Sequence, residues 1–223
     1  MAAAGVADFW SGLDAAAAAD FSERATSVVY PAGRTLAYTG QVPDHVILIR
    51  SGCVKISVVS RTGREVVLAF RGKGEIVGEQ SAVDGVPRSA TVIAVERVEA
   101  LVLSHDAFRA FLLDHPNVAL HLLRLLSLRL RDSDAKRVEL STLTTISRVA
   151  TRLLELSDQF GDEGGEISLP LSQEELAGST GASVESVGRA LQTMRTLRCI
   201  ETRRRRVLVV DRDALDALSR AGG

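Results

Sequence analysis

Apolar positions change their period along the chain, and each change marks a structural boundary. Residues 1–24 mix small apolar and polar residues and read as one or two short helices. From 25 to 105 the pattern becomes a series of short β-branched runs: Ser27-Val-Val-Tyr30, His45-Val-Ile-Leu-Ile-Arg50, Val54-Lys-Ile-Ser-Val-Val59, Glu65-Val-Val-Leu-Ala-Phe70, Ala90-Thr-Val-Ile-Ala94 and Val98-Glu-Ala-Leu-Val-Leu103. Gly, Pro and Asp clusters separate them. Strand-sized runs with a turn signal every ~8–12 residues predict a compact antiparallel sandwich or barrel. Arg61-Thr-Gly-Arg64 reads as a hairpin turn in which Gly63 supplies a positive φ, and Pro31-Ala-Gly33, Gly40 and Gly52 mark further tight turns.

At Ser104 the period becomes helical. Ser104 is placed to cap a short amphipathic helix that Asp114-His115-Pro116 ends, and Pro116 suits the first turn of the next. That next helix runs from about Asn117 towards Ser141. Along it Leu123, Leu126, Leu130, Ser133, Arg137 and Leu140 recur at spacings of 3, 4, 3, 4 and 3, a heptad seam suited to a helix that pairs along its length. Leu122, Leu125 and Leu128 add more apolar surface than one face requires, which points to a homodimer formed through this helix. Residues 141–145, polar and partly β-branched, are the expected hinge. A further helix follows to Phe160. The expected domains are therefore 1–116, 117–145 and 146–223.

Composition changes this picture little. The chain has 223 residues, with 46% hydrophobic and 25% charged, as in an ordinary globular protein. No apolar run approaches the ~18 residues of a membrane span. The first residues lack a basic segment and carry Asp8, Asp14 and Asp20, a poor secretory signal. The two cysteines, Cys53 and Cys199, are too few for a disulfide framework or a four-cysteine iron–sulfur site. A soluble, cytoplasmic protein without a membrane partner is expected. Net charge is −1, but eight acidic residues and no Lys or Arg lie between Glu155 and Glu185, whereas seven arginines against Glu201 alone lie between Arg189 and Arg206. A nucleic acid responds to the charge of the face that docks, not to the sum.

Two motifs carry chemistry. In the first, residues 76–90, Gly78 permits close backbone approach and the N–H groups beside it can form an anion nest. Arg88 offers a planar fork for two phosphate oxygens. Ser89 adds a hydroxyl, Glu79 a carboxylate able to accept from sugar hydroxyls, and Pro87 stiffens the approach. Placed in a loop after the strands, these residues resemble the phosphate-binding cassette of cyclic-nucleotide-binding domains in the cyclic AMP receptor protein / fumarate–nitrate regulator (Crp/Fnr) family. The resemblance extends from the turn at 31–33 to the C-terminal helix. It implies that Gly78, Glu79, Gln80, Ser81, Arg88 and Ser89 surround the ribose and cyclic phosphate, and that Ser133 and Asp134 lie against the base. Gln80 stands where the family usually has an aliphatic residue, and Asp134 where cyclic-AMP responders commonly have a small hydroxyl residue. The effector, rather than a cofactor, is then cyclic AMP or a guanine-containing cyclic nucleotide.

The second motif spans 171–194. Ser172 and Glu175 have capping-box spacing, Gly181 sits at a tight turn and Ser183 can cap the next helix. Leu176, Ala177, Val187, Ala190, Leu191 and Met194 supply the faces that lock two helices together. This is a helix-turn-helix whose second helix runs from Ser183 to about Arg195. Two strand-like runs around Arg203, Arg204, Arg205 and Arg206, then a helix led by Asp211, make it winged. The family resemblance puts Glu185 and Arg189 in base-reading positions and Ser183, Val184 and Ser186 beside them. Val184 replaces a common Arg, so a guanine contact gives way to an apolar one suited to a thymine methyl. The wing also lacks the usual Gly at its turn. Cys199 reads as core.

The fold class expected is α+β: an N-terminal cyclic-nucleotide-binding-type β-roll, a long dimerisation helix and a C-terminal winged helix-turn-helix. The function expected is a bacterial ligand-responsive transcription regulator acting on a palindromic double-stranded operator, with RNA polymerase among its expected partners. The alternatives are the same fold binding DNA without nucleotide, and a cyclic-nucleotide-binding module that controls a protein partner. A metal-dependent cupin-type enzyme would need His and acidic ligands on the strands. The β-roll offers only His45, and no nucleophile–base pair is evident, so neither catalytic residues nor a metal site is expected.

Overall fold

The computed structural model describes residues 8–162, 166–167, 170–203 and 206–221. The chain divides into two compact units, Met1–Val58 with Ala69–Arg131 and Val59–Leu68 with Asp132–Gly223. The expected middle segment is not a unit of its own, because its long helix begins in the first and ends in the second.

In the first unit a 3-10 turn at Trp10–Gly12 and helix α1 (Ala15–Arg24) precede the strands. These are β1 (Thr26–Tyr30), β2 (Thr35–Ala37), β3 (His45–Ser51), β4 (Val54–Val59), β5 (Glu65–Arg71), β6 (Ile76–Val77), β7 (Thr91–Ala94) and β8 (Val98–Ser104), of which residues 59–68 of the β4–β5 hairpin count with the second unit. They form two sheets of order β1-β8-β3-β6 and β2-β7-β4-β5. All six strand runs read from the sequence are present, and Gly63 has a φ of +78° at its turn. The short strands β2 and β6 were not expected. Nor was helix α2 (Glu79–Asp84), which occupies part of the segment read as a loop.

The near-continuous apolar run in β3 has a clear cause. Val46 and Leu48 face a helical layer with Phe21, Phe108 and Phe111. Ile47 and Ile49 join a second core with Val54, Val77, Val92 and Val98. A strand covered on both faces has no need to alternate apolar with polar residues.

Helix α3 (His105–Asp114) starts at Ser104, whose hydroxyl accepts from the Ala107 N–H. Helix α4 spans Pro116–Thr142, and Thr144 caps α5 (Thr145–Phe160). Ser141 and Thr142 are thus helical, and the break expected over 141–145 is confined to Leu143 and Thr144.

The second unit packs α5 against α6 (Gln173–Thr180), α7 (Val184–Thr196) and α8 (Arg212–Arg220). Its sheet has the order β10-β11-β9, from β9 (Glu166–Ile167), β10 (Ile200–Arg203) and β11 (Arg206–Val209). The wing hairpin is as expected, while β9 was not foreseen. Cys53 and Cys199 are both buried.

Candidate functional site

In the first unit the backbone of β6 turns at Gly78, whose φ of +84° lies in the left-handed region. A Cβ there would collide with Arg88 Nη1, so the absent side chain is what admits the guanidinium. Arg88 is buried. Its Nη1 donates to the Gly78 carbonyl at 3.0 Å, its Nη2 donates to the His45 carbonyl, and its Nε is buried without a partner. The guanidinium is thus held by two neutral carbonyls, with Asp44 Oδ1 3.5 Å from Nη2, and it keeps N–H donors of the kind that bind oxyanions.

Glu79 is also buried, and Arg129 Nη1 on α4 donates to its Oε1 at 2.6 Å. Arg129 Nη2 donates to the Ile76 carbonyl at 3.1 Å. Arg129 is the site residue that sequence reasoning missed. Its signal was present: Val118, Leu122 and Leu125 form the buried stripe of α4, and Arg129 continues it at the next helical step. A buried carboxylate requires a cation, and this stripe delivers one.

Gly78 and Arg88 are therefore brought together, with Glu79 next in the chain. Ser81 is buried on α2, whereas Gln80 and Ser89 are exposed. Ser133 and Asp134 lie on the part of α4 that belongs to the second unit, both exposed, with Asp134 3.6 Å from Arg137.

In the second unit the helix-turn-helix follows its local signals. The Glu175 N–H donates to Ser172 Oγ at 3.1 Å, and the Ser172 N–H donates to Glu175 Oε2 at 2.8 Å, completing the capping box. Gly181, at φ +63°, ends α6, and Ser183 caps α7 by accepting from the Ser186 N–H at 3.1 Å. Val187, Ala190, Leu191 and Met194 are buried, which turns Val184, Glu185 and Arg189 outward. Arg189 Nη1 donates to Glu185 Oε1 at 2.5 Å and its Nη2 to Ser186 Oγ at 3.2 Å. Glu185 thus holds the Arg189 fork on the exposed face. Arg203 and Arg206 face each other across the exposed wing strands. Arg204 and Arg205 lie outside the described residues.

A buried guanidinium in a two-sheet β unit, together with a helix-turn-helix that exposes Arg189 and is followed by wing arginines, narrows the reading to a single class, and the comparisons agree. A cyclic nucleotide-binding domain model matches residues 27–115, and a Crp-like helix-turn-helix domain model matches residues 147–218. A CRP-like cAMP-activated global transcriptional regulator of Mycobacterium tuberculosis is 33% identical over 94% of this chain and 95% of its own. The chain belongs to the Crp/Fnr family of transcription regulators. Among solved structures, FixK2 from Bradyrhizobium japonicum has a TM-score of 0.81 at 22% identity, over 89% of this chain and 99% of that one. The c-di-GMP responsive global regulator CLP of Xanthomonas campestris has a TM-score of 0.74 at 25% identity, over 88% and 99%.

Family membership makes the chain a DNA-binding regulator with a cyclic-nucleotide-binding fold, not an enzyme. Among the described residues no three His, Cys, Asp or Glu side chains are grouped to hold a metal. His115 and His121 have structural roles: the first is 2.7 Å from Asp20 Oδ2 and the second 3.1 Å from the Asp8 carbonyl. No helix among the described residues is long and apolar enough to cross a membrane.

Proposed function

We propose that this Crp/Fnr regulator binds a cyclic nucleotide through Arg88, with Gly78, Glu79, Ser81 and Ser89 around the ribose and phosphate. The observation that carries this is the buried Arg88 guanidinium over bare Gly78, with its Nε unpaired. Cyclic AMP is the first candidate, since the Mycobacterium relative is named as cAMP-activated. The regulator acts in the cytoplasm as a homodimer paired along α4, where Leu123, Leu130 and Leu140 stay exposed in the single chain. It places one α7 in each half-site of a palindromic operator, with Glu185, Arg189 and Val184 reading bases and Arg203 and Arg206 of the wing on phosphates. RNA polymerase is its partner at promoters.

Calorimetry on the full chain with cyclic AMP tests the anchor. Arg88→Ala should cost roughly 2–5 kcal/mol, well over tenfold in affinity. Unchanged affinity would make the cassette a scaffold.

One observation favours a second reading of the ligand. Asp134 is exposed, and its nearest cation, Arg137, is 3.6 Å away. Its carboxylate has acceptor capacity left for the N1–H and N2–H₂ donors of a guanine. CLP, a similar structure, is described as c-di-GMP responsive. Asp134→Ser should then lose guanine preference in a panel of cyclic mono- and dinucleotides, while equal affinities before and after the substitution would refute the pairing.

A further inference from the structure

One acidic side chain is held against Arg88 by the fold itself. Residues 38–44 run beside the anchor: the Gly40 N–H donates to the Arg88 carbonyl at 2.7 Å, and the Arg88 N–H donates to the Gln41 carbonyl at 2.9 Å. Asp44, the residue before β3, is pinned in turn, because its carbonyl accepts from the His105 N–H at 2.9 Å. Its Oδ1 is 2.6 Å from His45 Nδ1 and 3.5 Å from Arg88 Nη2. The Asp44 side chain is 58% exposed, against 4% for Arg88. A tethered carboxylate therefore stands at the solvent side of the anchor.

The 3.5 Å separation is longer than a charge-assisted hydrogen bond, so Asp44 acts on Arg88 as a counter-ion. An oxyanion taking the free Nε need not displace it. Asp44, screened by solvent, then offsets part of the Arg88 charge, while Glu79 is offset by Arg129. One negative charge on a ligand is accommodated by direct hydrogen bonds to Arg88. A second charge meets a positive field weakened by Asp44 and gains less to offset its loss of hydration.

We propose that Asp44 is a specificity-determining residue that makes the site favour monoanionic phosphodiesters over dianionic phosphomonoesters. This rests on Arg88 being the phosphate anchor. Cyclic nucleotides carry one phosphate charge, whereas a nucleoside monophosphate carries close to two at neutral pH, its second ionisation lying near pH 6. A unit charge ~6 Å away in a water-like dielectric changes affinity about threefold per ligand charge, a scale suited to an exposed carboxylate.

The test is competition binding on the full chain at about pH 7.5, where the monoester is dianionic. The probes are cyclic AMP, 5′-AMP and the monoanionic methyl ester of 5′-AMP, measured on wild type, Asp44→Asn, Asp44→Glu and Arg88→Ala. Asp44→Asn should tighten 5′-AMP about threefold more than it tightens its methyl ester or cyclic AMP, and Asp44→Glu should retain the discrimination. If Arg88→Ala abolishes cyclic AMP binding but Asp44→Asn shifts all three probes equally, or weakens them together, the proposal is overturned and the anchor stands. If wild type binds no cyclic AMP, or Arg88→Ala binds it as well as wild type, the anchor itself falls and the proposal with it.

Discussion

Removing Arg129 should destabilise the first unit more than removing Glu79 does. The two side chains meet at 2.6 Å, with Glu79 4% and Arg129 20% exposed. Arg129→Met leaves a carboxylate deep in the protein without its cation, the costly way to break a buried pair, at about 3–5 kcal/mol. Glu79→Gln leaves a guanidinium that still donates to the Ile76 carbonyl at 3.1 Å and reaches water. Its cost should be smaller, about 1–3 kcal/mol. The double variant should be less unstable than the sum, with a coupling of about 2 kcal/mol. Urea unfolding followed by Trp10 fluorescence reads this directly. Trp10 is the single tryptophan, packs on the core of the first unit, and has the Arg50 guanidinium 4.8 Å from its ring centre. With a urea slope of about 1–3 kcal/mol per molar, a 3 kcal/mol loss moves the midpoint by roughly 1–3 M. If Arg129→Met costs less than about 1 kcal/mol, or the two single losses simply add, the pair does not hold the cassette as argued.

Other outcomes test the remaining parts. Leu130→Glu, at a position 63% exposed in the single chain, should yield monomers by light scattering and lose operator binding while the thermal midpoint of the isolated chain holds; a stable dimer would move the interface off α4. Arg189→Ala should cost about 1–3 kcal/mol on the specific site and little on random DNA, whereas Arg203→Ala and Arg206→Ala should weaken both and flatten the salt dependence. Equal loss for Arg189→Ala on both DNAs would displace the recognition helix. Asp20 has its pKa held below the ordinary carboxylate value, chiefly by the His115 hydrogen bond, with Arg24 adding and burial opposing. A depressed carboxylate stabilises above its unfolded pKa and loses that contribution as pH falls through the folded value. Asp20→Asn should therefore melt below wild type at about pH 5, with the gap narrowing below about pH 4; a gap that widens with acid would contradict the assignment.

Local signals were the legible part of the sequence. Ser104, Ser172 and Ser183 cap the helices they were read to cap, because a cap depends on residues within one turn. The β-branched runs appear as strands, since burial on a pleated surface leaves a direct mark on composition. The short strands β2, β6 and β9 left almost none: with two or three residues each, they exist because longer neighbours pair with them. Helix α2 was hidden for a related reason. It is one and a half turns enclosed by Gly78 and Gly85, and those glycines read equally well as a loop.

Helix α4 shows why the site was only partly legible. It carries two stripes, and the sequence reading, which saw more apolar surface than one face requires, put Leu126 in the wrong one. Val118, Leu122, Leu125 and Arg129 follow spacings of 4, 3 and 4 and face the first unit's own core and Glu79. Leu123, Leu130 and Leu140 stay exposed. Leu126, assigned to the seam from its heptad position, is half-buried against the core instead. Periodicity reports that a position is buried or paired, but not which surface covers it, and on a helix with two apolar stripes that ambiguity is greatest. It bears on experiment as well. Leu126→Glu would strike the core and the outer face together, so a monomeric product could reflect a damaged sensor unit. Leu130→Glu touches the outer face alone, and only that variant separates dimerisation along α4 from the stability of the unit beneath it.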